Sequence, residues 1–112
     1  MLPVQIGYKT YTIDYIDNPM GDNHGICQNE KGKIFIDKNL PTSDLMNTTI
    51  HEILHAIFYS YGILTDEDEE EKIVVALANG ITEVVLRNPE LLRKLGKMTK
   101  EINNATEKNS RV

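Results

Sequence analysis

An α+β domain, with a small antiparallel β-sheet at the N-terminus followed by three helices, is the fold class this sequence predicts. β-branched and aromatic residues crowd the first third of the chain, as strands favour. From Leu45 onward apolar residues recur at three- and four-residue spacing instead, the period of an amphipathic helix. Gly62 and the Asn88-Pro89 step divide that second part into three stretches. Strands first and helices second is the α+β pattern.

The elements follow in order. Val4 to Asp17 alternates loosely through Ile6, Tyr8, Tyr11, Ile13, Tyr15 and Ile16 and is expected to be β structure. Asn18-Pro19-Met20-Gly21-Asp22-Asn23 is a turn or loop cluster. Gly25 to Asn29 and Lys33 to Asp37, separated by Glu30-Lys31-Gly32, form a predicted hairpin with Ile34 and Ile36 on one face and Phe35 on the other. Leu40-Pro41-Thr42 leads into a helix from Leu45 to Tyr61, with Ser43 or Asp44 as N-cap and Gly62 as the stop. The acidic run Asp66 to Glu71 suits the positive end of a second helix, which extends to Arg87 because Asn88-Pro89 breaks it. A third, from Pro89 to Asn103, is amphipathic through Leu91, Leu92, Leu95, Met98 and Ile102. Residues 1–103 are expected to form a single domain, and the polar residues 104–112 a frayed tail.

Charge and composition narrow the functional classes. The chain of 112 residues is 40% hydrophobic and 26% charged, within the ordinary globular range. Its net charge of -5 argues against electrostatic binding to nucleic acid. One cysteine, Cys27, rules out an internal disulfide and fits a reducing compartment. Met1 to Gly7 has no basic segment leading into an apolar stretch, and no run approaches membrane-spanning length. A cytoplasmic protein without membrane contact is expected. The sequence assigns no oligomeric state.

His51-Glu52-Ile53-Leu54-His55 carries the most chemistry. On a helix, residues i and i+4 share a face, so both imidazoles reach one ion. Neutral imidazole is a favoured zinc ligand, and two of them with a third protein group leave one position for water. The intervening Glu52 can take a proton from that water. On a wheel of ~100° per residue, Met46, Ile50, Ile53, Leu54, Ile57 and Tyr61 share an arc. His51 and His55 lie at its edge, where a buried but accessible metal would sit.

The third ligand has to come from elsewhere. No histidine follows His55, and His24 lies upstream in a loop. A carboxylate from the acidic run completes a His₂Glu set. The second helix has an apolar arc of Ile73, Val74, Leu77, Ala78, Ile81, Val84 and Val85. Extended backwards, that arc has Glu70 near its centre and Glu71 at its edge. A core-facing acid costs several kcal/mol unless paired or metal-bound, so Glu70 is the leading candidate and Glu71 the alternative. Tyr59 and Tyr61 could stabilise an oxyanion, although packing explains both. Cys27 could close the fourth position, and His24 could touch substrate. Asn79 and Gly80 interrupt the apolar pattern, and a close helix–helix approach would explain Gly80.

A β region, a helix bearing H-E-x-x-H, and a helix opening on Glu70-Glu71 before Ile73-Val74-Val75-Ala76 together resemble zincin-type peptidases of the ImmA/IrrE kind, especially small phage and prophage members. The resemblance spans roughly Gly25 to Arg87. It implies a minimal zincin-like domain holding Zn2+ through His51, His55 and Glu70 (or Glu71), with Glu52 as general base. It also implies that Lys33 to Asp37 is an edge strand able to hold an extended peptide, and that the substrate is an intracellular protein such as a helix-turn-helix repressor. The expected function is thus zinc-dependent peptide hydrolysis. The rival expectation is a non-catalytic zinc domain that binds a partner, for instance a phage regulator.

Overall fold

Short-range pairing of strands builds the N-terminal layer. The structure is a computed structural model and describes residues 1–19 and 23–110, with side chains as far as 106. The expected loop over Asn18 to Asn23 therefore falls partly outside the described residues, as do the last two of the tail. The stretch read as one β region is two strands, β1 (Leu2–Ile6) and β2 (Lys9–Ile16). Gly7 separates them at φ 62°, a left-handed conformation that glycine adopts without a Cβ penalty. The predicted hairpin is present as β3 (Gly25–Gln28) and β4 (Lys33–Asp37).

The sheet order is β1-β2-β4-β3. β1–β2 and β3–β4 pair antiparallel, but β2 and β4 pair parallel, with Ile13 opposite Ile34 and Tyr15 opposite Ile36. The sheet is thus mixed rather than antiparallel. The parallel pair also puts β4 in the interior, so Lys33–Asp37 is not the edge strand expected of it. That edge belongs to β3.

One face of the sheet carries the core. Ile6, Tyr11, Ile13, Ile34 and Ile36 are buried with Ala56 of the motif helix α1 (Thr42–Ser60), and Leu45, Ile53 and Ile57 pack around them. Helix α1 starts before the expected Leu45. The Leu45 N–H already donates to the Pro41 carbonyl at 2.9 Å, and neither Ser43 nor Asp44 caps the helix: Pro41 does, without a side-chain bond. The far end stops as expected at Gly62, at φ 64°. There the Ile63 N–H reaches the Phe58 carbonyl at 3.0 Å and the Gly62 N–H the Tyr59 carbonyl at 3.3 Å, the paired bonds of a Schellman cap.

Helix α2 (Glu67–Arg87) is capped by Asp66, whose Oδ1 accepts the Glu69 N–H at 2.8 Å. Its first unit, through Thr82, packs Val74 and Ala78 against Leu54 and Phe58 of α1. The buried stripe is Val74, Ala78 and Thr82. Ile73, Leu77, Ile81 and Val84, expected on the apolar arc, are exposed. Gly80 has open space where a Cβ would stand, so close helix approach does not explain it.

Two units divide the chain, Met1–Thr82 and Glu83–Val112. The second contains the end of α2 and helix α3 (Pro89–Ser110). Helix α3 runs past the expected Asn103 because residues 104–110 hold no Gly or Pro to stop it. No helix among the described residues is long and apolar enough to cross a membrane.

Candidate metal centre

The facing sides of α1 and α2 bring three ligand atoms together. His51 and His55, one turn apart on α1, turn their Nε2 atoms to within 3.2 Å of each other. Glu71, from the first turns of α2, approaches both: Oε1 lies 3.1 Å from His51 Nε2 and Oε2 lies 2.9 Å from His55 Nε2. The three residues form a group able to hold a metal ion. Electronegative atoms so crowded need a cation among them, whether a proton or a metal. One ligand atom from each of the three residues lies within 4.8 Å of the other two, and the two imidazole nitrogens, 3.2 Å apart, stand close to the ~3.3 Å edge that tetrahedral zinc with bonds of ~2.0–2.1 Å requires.

The acid that joins the histidines is therefore Glu71, the alternative, rather than Glu70. Glu70 serves the same cluster differently. Its Oε2 lies 2.7 Å from His55 Nδ1, on the opposite side of the ring from Nε2. A proton donated from Nδ1 to this carboxylate fixes the tautomer that presents a lone pair at Nε2. Adjacent residues on one helical turn thus hold one imidazole from both sides.

His51 is prepared to ligate. Burial lowers its pKa below the ordinary 6.5, and His55 adds to the lowering while Glu71 opposes it. A neutral ring is the form that binds metal.

Glu52 is the buried carboxyl of the site, only 7% exposed. Burial raises its pKa to about 7 from the ordinary 4.5, with Glu71 adding to the rise and His55 opposing it. A carboxyl poised near neutrality is suited to general base chemistry. Gly25 at the start of β3 makes room for it: a Cβ there would stand 2.8 Å from Thr48 Cγ2 and 3.1 Å from Glu52 Cγ. An isolated glycine opening a strand signals such an approach, and this was the available clue to a residue that motif reading passed over.

A cleft of about 500 Å³ opens over the cluster, lined by Asn23, His24, Gly25, Asn47, Thr48, His51, Glu52, His55 and Glu71. His24 is exposed at this cleft. Asn47 is tied to α2, donating to Asn79 Oδ1 at 3.0 Å and Thr82 Oγ1 at 3.3 Å, which gives Asn79 its place in the helix. Tyr59 and Tyr61 are exposed and do not line the cleft.

Cys27 faces a second cavity of about 350 Å³ with Asn29, Glu67 and Glu70. Its thiol donates to Asn29 Oδ1 at 3.2 Å. Burial, with Glu52 and Glu70 nearby, pushes its pKa up to about 12. Cys27 is not part of the ligand group.

No protein-family model matches the chain, and no curated protein or solved structure matches it either.

Proposed function

We propose that this chain is a zinc-dependent peptidase that hydrolyses peptide bonds of a protein substrate. One observation carries the reading: His51, His55 and Glu71 converge beside a buried Glu52, under an open cleft. Three protein ligands with a neighbouring carboxyl is the donor set of a catalytic rather than a closed zinc site. Cys27 stands outside the ligand group, which leaves the rival, a non-catalytic zinc domain closed by a fourth protein ligand, without that closing residue.

Zinc, when bound, supplies an acidified water and polarises the scissile carbonyl. With zinc held by His51, His55 and Glu71, Glu52 would be placed to take a proton from the attacking water. It then delivers that proton to the amine nitrogen as the C–N bond breaks. Glu70 holds His55 in its ligating tautomer throughout. The β3 edge, which begins at Gly25 beside Glu52, offers free backbone groups to an extended peptide. An intracellular protein substrate and a cytoplasmic site of action follow from the likeness to ImmA/IrrE-type peptidases.

Elemental analysis and a protein-substrate digest test the reading together. Wild type is expected to carry one zinc per chain and to cleave. Glu52→Gln should keep the zinc and lose roughly 10²–10⁴-fold in turnover, and unchanged turnover in that variant removes Glu52 as the base. Glu71→Gln should lose zinc, whereas Glu70→Gln should weaken zinc binding by roughly 10–100-fold.

A further inference from the structure

We infer that α3 is a self-association surface on which a second copy of this chain docks antiparallel. Among the described residues of the second unit, none is buried and Val85 alone is partly so. Yet α3 presents large apolar side chains on one side: Leu91, Leu95 and Met98 are 44%, 48% and 44% exposed, and Ile102 66%. An amphipathic helix with no core under its apolar stripe lacks the packing that sustains most protein helices.

The spacing of that stripe identifies the occupant. Leu91, Leu95, Met98, Ile102 and Ala105 recur at intervals of four, three, four and three, the a/d seam of a coiled coil. An a position meets a d position when two such helices run antiparallel. The seam then matches itself about a two-fold axis between Gly96 and Lys97, with Leu95 opposite Met98 and Leu91 opposite Ile102 of the second copy.

The flanks agree with this register. Lys94 and Glu101 occupy the two g positions, and antiparallel docking sets Lys94 of one copy beside Glu101 of the other, twice by symmetry. On the other flank Leu92, 38% exposed, meets Thr99 at the e positions. A parallel pair would put Lys94 beside Thr99 and leave both charges without partners. An anionic membrane is disfavoured as occupant because Glu101 borders the stripe, the stripe is narrow, and α3 carries no aromatic residue.

Sedimentation equilibrium on the whole chain tests the proposal. Wild type is expected to be a dimer well above micromolar concentration, and Leu95→Asp a monomer whose far-ultraviolet helical signal falls by no more than α3 contributes, since Leu95 is exposed in the single chain. Lys94→Glu or Glu101→Lys alone should weaken association roughly tenfold, the two pairs becoming repulsive, and the double swap should restore it. A monomeric wild type, a dimer indifferent to Leu95→Asp, or a double swap no tighter than either single change overturns the inference. So does sedimentation of a monomeric wild type with anionic phosphatidylserine vesicles.

Discussion

The two units read alike in sequence and differ in what they bury. Helices α1 and α3 both carry apolar residues at helical spacing. In Met1–Thr82 that spacing is used: Ile13, Ile34 and Ile36 are essentially inaccessible and α1 closes over them. In Glu83–Val112 the same kind of stripe is exposed. Amphipathicity alone thus does not tell whether an apolar face is covered; the fold of the chain decides that.

The sharpest way to break this contrast is to shorten one side chain in each unit. Ile36→Ala should cost about 2–5 kcal/mol through lost burial and a residual cavity. Leu95→Ala, measured by urea denaturation at concentrations too low for association, should stay within about 0.5 kcal/mol. Equal losses would mean that α3 contributes to the core after all.

Glu52 tests how far the first unit gives up stability to hold its site. Its folded pKa of about 7 lies above the ordinary 4.5, so the folded state binds the proton more tightly than the unfolded chain. The resulting stabilisation is complete below pH 4.5, declines as pH rises, and is gone above about 7. In a chelating buffer at pH 8, Glu52→Gln should therefore melt higher than wild type, by up to about 3 kcal/mol. The advantage should vanish near pH 4.5.

Smaller effects sharpen the same comparison. Gly25→Ala forces a methyl to 2.8 Å from Thr48 Cγ2 and should destabilise by about 1–3 kcal/mol, with loss of the proposed hydrolysis through displaced Glu52. Gly80 and Gly96 both have open space for a Cβ. Replacing either by Ala should favour its helix by about 1 kcal/mol. Thermal denaturation should record the gain at Gly80, in the unit with the core. At Gly96 the gain should appear mainly as slower amide exchange along α3.

Local features of this chain were legible in its sequence. The β3–β4 hairpin, the Gly62 stop, the acidic start of α2 and the H-E-x-x-H helix each rest on neighbours within a few residues. The parallel β2–β4 pairing joins distant segments, and no local pattern announces it; the resemblance to zincin-type peptidases implies an edge position for β4, which β3 occupies instead. The choice between Glu70 and Glu71 has a different physical basis. Glu70 does point inward, in line with Val74, Ala78 and Thr82. The group able to hold an ion, however, lies at the border of core and cleft, which the residue at the edge of the stripe reaches. The inward acid meets His55 from the other side.

The cap of α2 and the ligand cluster share one turn of helix. Asp66 fixes the Glu69 amide, and Glu70 and Glu71 follow at once with their grips on His55 and His51. Fraying of that turn would consequently open the candidate ion site in the same event. Saturating the site with zinc should slow amide hydrogen exchange at the start of α2 in proportion to occupancy. The helix end then reports ion binding without a spectroscopic probe.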